Sequence, residues 1–159
     1  MTEYANPSES IDLPAPAPDV IDPHRVDVTP AAAELLRSLI DRNGPLMFHQ
    51  SGGCCDGSSP MCYPLGDFIT GAVDVRLGDL DVNDPADSAA EPVPTIPVWM
   101  SESQFAYWKH THLTIDVVKG RGSGFSLEAP LGVRFMIRSR LLTDAEVEHF
   151  ERVGYTTGE

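Results

Sequence analysis

The chain has 159 residues, 24 of them Asp or Glu against 11 Lys or Arg, giving a formal net charge of -13 and an isoelectric point near 4.6. A chain of this length makes about one domain, which buries roughly two thirds of its unfolded surface and needs no disulfide or metal merely to fold. The charge excludes phosphate backbones and anionic membranes as expected partners, and no stretch approaches the roughly 20 apolar residues that span a bilayer.

The first segment, MTEYANPSESIDLPAPAPDV, has neither the basic nor the apolar region of a secretory leader, so a cytoplasmic location is expected. It holds too little apolar surface to offset the entropy of ordering it, and residues 1–24 are expected to be a disordered acidic, Pro-rich tail. A single domain is expected over 25–153, with 154–159 as a C-terminal tail. Arg25 to Thr29 reads as a short strand. Thr29 then suits an N-cap, and Pro30 sits at the first helical position, where a missing N–H costs nothing. Ala32, Leu35, Leu36, Leu39 and Ile40 share one face of the helix that follows, and Asn43-Gly44 ends it.

PLMFHQS reads as a strand leading directly into GGCCDGSSPMC, so that all three cysteines fall within nine positions on a glycine-rich stretch. DFITGAVDVRLGDL alternates well enough for one or two strands, and DVNDPADSAAEPVPTIP is a proline-interrupted acidic loop. PVWM belongs in the sheet. Ser101 and Gln104 cap a short helix through FAYWKH, and LTIDVVKG returns to the sheet. A Gly-rich turn leads to FSLEAP and then to the strand LGVRFMIRSRLL, in which Val133, Phe135 and Ile137 oppose Arg134, Met136 and Arg138. Thr143 and Glu146 form a capping box for a terminal helix over TDAEVEHFERVG. The fold class is α+β, with most strands in one mixed sheet, an N-terminal helix, a short mid-chain helix and a C-terminal helix.

The chemistry centres on Cys54, Cys55 and Cys62. In a reducing compartment an odd, close set of thiols points to metal binding or thiol chemistry before structural disulfides, weighed against the reading of free Cys as a small buried hydrophobe. Adjacent Cys54 and Cys55 point apart if the backbone is extended, so convergence requires a turn that Gly52, Gly53 and Gly57 allow. His110 and His112 share a face if both lie on a strand, and His49 leads into the thiol stretch; one of these is expected as a fourth ligand. Three thiolates with an imidazole suit iron or zinc. His24 and His149 are assigned to the surface, Phe105, Tyr107 and Trp108 to packing, and Arg134, Arg138 and Arg140 to a solvated sheet face. No Walker loop or dinucleotide fingerprint is present, and a binding module ranks above an enzyme. The alternative is a thiol redox enzyme, with Cys54 or Cys55 as nucleophile, Cys62 as resolving cysteine and His49 or His110 as base.

The residues also carry a resemblance. A strand, TPAAAELLRSLI, a glycine, PLMFHQ and a closing GGC are similar to the opening of the HesB-like A-type iron–sulfur carriers, as is LTIDVVKGRGSGFSLEAP further on. Their C-terminal Cys-Gly-Cys has no counterpart in APLGVRFMIRSRLL, so among the carrier ligands only Cys54 has a match. GGCCDGSSPMC with YWKHTHLTIDVV and GFSLEAPLGVRFMIRSRLL resembles the bacterial family called domain of unknown function 779, from Val26 to about Phe150. That resemblance implies an association with aldehyde dehydrogenases, and hence an accessory protein that handles metal or protects a thiol for such an enzyme.

Overall fold

The computed structural model describes residues 4, 6, 23–50, 58–84, 86–87, 91–121 and 126–158. The expected disorder of residues 1–24 falls almost wholly outside these; Tyr4, which is described, packs against the core. Strand β1 (Val26–Val28) leads into helix α1 (Pro30–Asn43), where Thr29 accepts the Ala32 N–H and Gly44, at φ 78°, closes the last turn. The five apolar residues expected on one face are buried, and Ala33 joins them.

Strand β2 (Leu46–Gln50) leads into the thiol stretch and pairs antiparallel with β3 (Met61–Pro64), which carries the last of its cysteines. Then come β4 (Asp74–Leu80), β5 (Ile96–Ser101), helix α2 (Glu102–Trp108), β6 (Thr111–Lys119), a 3-10 turn at Ala129–Leu131, β7 (Val133–Leu141), helix α3 (Asp144–Val153) and β8 (Thr156–Thr157). Ser101 caps α2, and Thr143 with Glu146 forms both halves of the capping box on α3.

The α+β class holds, but the strands divide between two mixed sheets. One has the order β3-β2-β5-β4-β8 and the other β1-β6-β7, with β2–β5 and β1–β6 parallel. The inner faces of the two meet at one core, where Phe48 of β2 lies edge-on to Phe135 of β7 at 5.0 Å. β1 approaches β4 so closely that a Cβ on Gly78, at the β4 bulge, would stand 3.3 Å from Val26 Cγ1. Two strands were not expected: β3, within the thiol-rich stretch, and β8, which pairs with β4 from the segment assigned to a C-terminal tail.

The expected solvated face of arginines on β7 is corrected by the structure. Arg138 is buried with Nε on Asp116 Oδ2, Arg140 donates to both oxygens of buried Glu146, and Arg134 donates to Ser59 Oγ. Each guanidinium has an acceptor in place, which is the condition on which a charge can leave water. A pattern of alternating Arg shows which face a residue takes but not what covers that face.

Candidate functional site

The chain enters the thiol stretch from β2, whose alternation sends Phe48 into the core and His49 to the opposite face of the sheet. His49 is 3% exposed. Its Nε2 lies 2.7 Å from Asp74 Oδ1, reaching across β5 to β4, and Phe68 stacks on the ring with centroids 4.0 Å apart. Burial acts to raise the Asp74 carboxyl pKa, but the His49 hydrogen bond, the Gly71 N–H on Oδ2 and the His49 charge outweigh it and hold the carboxyl below its ordinary value. An ionised carboxylate only accepts hydrogen bonds, so His49 Nε2 carries the proton and donates it. Nε2 is thereby committed to Asp74. A carboxylate that fixes the tautomer and orientation of an imidazole is the arrangement that supports metal-ligating and catalytic histidines alike.

Cys54 and Cys55 lie outside the described residues. Cys62 is fully buried and is the register partner of Phe48, so its thiol shares the core face while His49 points the other way. In this conformation Cys62 and His49 do not face a common ion. Burial, and then the charge of Glu128, push the Cys62 thiol pKa far up and keep it protonated. His112, on β6, is 5% exposed and donates from Nε2 to Asp27 Oδ2 at 2.8 Å. Its Nδ1 is buried with no hydrogen-bond partner among the described residues, but its register partner is Arg140, a fixed positive charge on the same face that disfavours a cation there. His110 is exposed at the end of α2, before the strand begins, and lines a separate cavity with Arg25 and Lys109. Among the described residues no group of three or more His, Cys, Asp or Glu is placed to hold an ion.

Residues 35–141 match the family described as Domain of unknown function (DUF779). The chain belongs to that family. No curated protein and no solved structure matches it.

Two residues beside Cys62 escaped sequence reasoning. Ser126 Oγ accepts the Cys62 N–H and donates to the Glu128 carboxylate, while the Leu127 N–H bonds to the Cys62 carbonyl, so the segment after β6 is tied to β3. Glu128 is 1% exposed. Burial raises its carboxyl pKa, against hydrogen bonds from Ser126 and from the backbone at Glu128 and Phe135. A raised folded-state pKa means that the native protein binds this proton more tightly than the unfolded chain does. Its contribution to stability is therefore complete below the ordinary value of 4.5 and is lost as pH rises through the folded value. Glu128→Gln keeps the shape and removes the titration. Urea unfolding between about pH 5 and 8 is expected to show a smaller loss of stability with pH in the variant than in the wild type; superimposable profiles would show that Glu128 is charged in both states.

Proposed function

We propose that this protein is a small cytoplasmic metal- or thiol-binding accessory protein that assists an aldehyde dehydrogenase, with its reactive site at the thiol stretch and His49 as the imidazole that serves it. The observation that carries this reading is the buried His49–Asp74 pair at 2.7 Å, whose histidine stands on β2 five residues before Cys54. A buried, carboxylate-oriented histidine one segment away from two thiols is more than core filling requires. The aldehyde dehydrogenase and the HesB-like reading of the fold rest on the sequence resemblance.

The donors fit iron or zinc in part. His49 with Cys54 and Cys55 supplies soft thiolates and an imidazole whose orientation is already fixed. Cys62 does not fit as a fourth ligand in this conformation, because its thiol is in the core and protonated. A bound ion would hold the thiols as thiolates and shield them from oxidation. Asp74 would keep the His49 proton on Nε2 throughout.

The same pair favours a second reading, a thiol redox enzyme in which His49 takes the proton from Cys54 or Cys55. Cys62 is poorly placed as its resolving partner, since the attacking species must be a thiolate with access to the other sulfur. Anaerobic purification with elemental analysis separates the readings. About one iron or zinc per chain, released on alkylation of the thiols and lost in Cys54→Ser, supports the binding protein. A metal-free chain that forms a reversible disulfide under mild peroxide supports the enzyme. A metal-free chain with inert thiols defeats both.

A further inference from the structure

A cavity of about 180 Å³ lies where α2 and α3 meet the residue before β1, and none of its lining belongs to the thiol site. Its floor is apolar: Phe105 of α2 and Phe150 of α3 are buried, and Tyr155 stands 5.0 Å from Phe105, ring to ring. Arg25, Lys109 and His110 stand around this floor on a protein of net charge -13. The Arg25 guanidinium is held over both rings, 4.3 Å from Phe150 and 5.1 Å from Phe105, and Nη1 donates to the Lys109 carbonyl. Neither Arg25 nor Lys109 makes an ion pair among the described residues. Glu151 is the one carboxylate among the described residues of the lining, set against the Arg25 guanidinium and the Lys109 ammonium.

We infer that this cavity is a binding site for a small apolar carboxylate, its ring or branched chain seated among Phe105, Phe150 and Tyr155 and its carboxylate held by Arg25 and Lys109. The size fits, because a cavity of about 150 Å³ accepts benzene. The charge fits as well. Burial disfavours the ionised form of Arg25 and lowers its pKa, so an anion brought into contact with it relieves a cost that the unliganded protein carries. An aromatic cage alone would favour a cation, but here that position is already taken by the protein's own guanidinium. The stacking also fixes the fork, so little freedom is lost when it meets a carboxylate.

The test is titration of the full-length protein, by calorimetry or by backbone amide shifts, with benzoate, benzamide and inorganic phosphate as probes. Benzoate is expected to bind saturably with a dissociation constant of about 1 mM or lower. Benzamide, which has the same shape without the charge, is expected to bind at least about tenfold more weakly, as is phosphate, which lacks the apolar part. Arg25→Gln and Lys109→Gln should each weaken benzoate about tenfold. Lys109 is exposed, so its variant keeps the test valid if Arg25→Gln unfolds. Any of three results overturns the inference: no saturable binding of benzoate by the wild type, benzamide or phosphate binding as tightly as benzoate, or an unchanged benzoate affinity in folded Lys109→Gln.

Discussion

Glu146→Ala is expected to lower the stability of the protein by about 3 kcal/mol, which for a chain of this size shifts the thermal midpoint by roughly 6–12 °C. Glu146 is 2% exposed and holds two structures at once. Oε1 accepts the Thr143 N–H in the capping box of α3, and the two oxygens accept Nη1 and Nη2 of Arg140 on β7. Burial acts to raise its pKa, but the Arg140 hydrogen bonds, the Thr143 backbone and the Arg140 charge hold it down to about 2, from an ordinary 4.5. Because the folded value is the lower one, the stabilisation is complete above the unfolded value and is lost as pH falls from 4.5 toward 2. Removing the carboxylate also leaves the half-buried Arg140 with the Leu141 carbonyl but without its ion-pair partner, and an unpaired charge costs more than a lost contact. Glu146→Gln, which keeps an oxygen for the Thr143 amide, should fall between the wild type and Ala. A urea midpoint in Glu146→Ala equal to that of the wild type at pH 7 would show that the pair is energetically neutral.

The capping box on α3 was legible because both of its members lie within four residues of each other, and α1 was legible for the same kind of reason: Thr29, Pro30 and the apolar spacing act locally. The long strands β6 and β7 declared themselves by alternation. What could not be read was whatever depends on pairing across the chain. β3 is four residues ending in proline, and its strand character comes from its register against β2, with Phe48 opposite Cys62. That register also decides the fate of Cys62. From its neighbours it was one of three clustered thiols, but one strand position turns it into the core, away from His49.

The site divides in the same way. His49 was singled out because it leads into the thiol stretch, a local fact. Asp74, its partner, lies 25 residues on and two strands across, beyond β5, and nothing in DVRLGDL marks one aspartate above the others. Similarly, Arg138 on β7 read as solvated until the ladder with β6 brought Asp116 against it. Two of the four histidine and cysteine candidates that the structure describes, His49 and His112, have carboxylate partners. The partners separate them: His49–Asp74 belongs to the five-stranded sheet beside the thiol stretch, and His112–Asp27 to the other sheet.

Asp74→Asn is expected to damage the proposed site while leaving its thiols and its imidazole intact. Asn is nearly isosteric and can still accept the His49 Nε2 proton, so the ring stays in place, but the negative charge that polarises it is gone. Loss of such an outer carboxylate typically costs 10–100-fold in metal affinity, equivalent to about 1.4–2.8 kcal/mol, and that range is expected for zinc or iron measured by competition with a chromophoric chelator. Should the thiols instead act as nucleophiles, the same substitution is expected to move the pH profile of their alkylation, because a histidine without its carboxylate is a weaker base. His49→Gln should reproduce either effect. The double variant should be no worse than the worse single one, since two groups acting through one imidazole are not additive. Asp74 also accepts the Gly71 N–H, so thermal unfolding of each variant must be compared with the site readouts. If Asp74→Asn lowers stability but leaves both metal affinity and the alkylation profile at wild-type values, the His49–Asp74 pair is a structural tie between β2 and β4, and the thiols work without it.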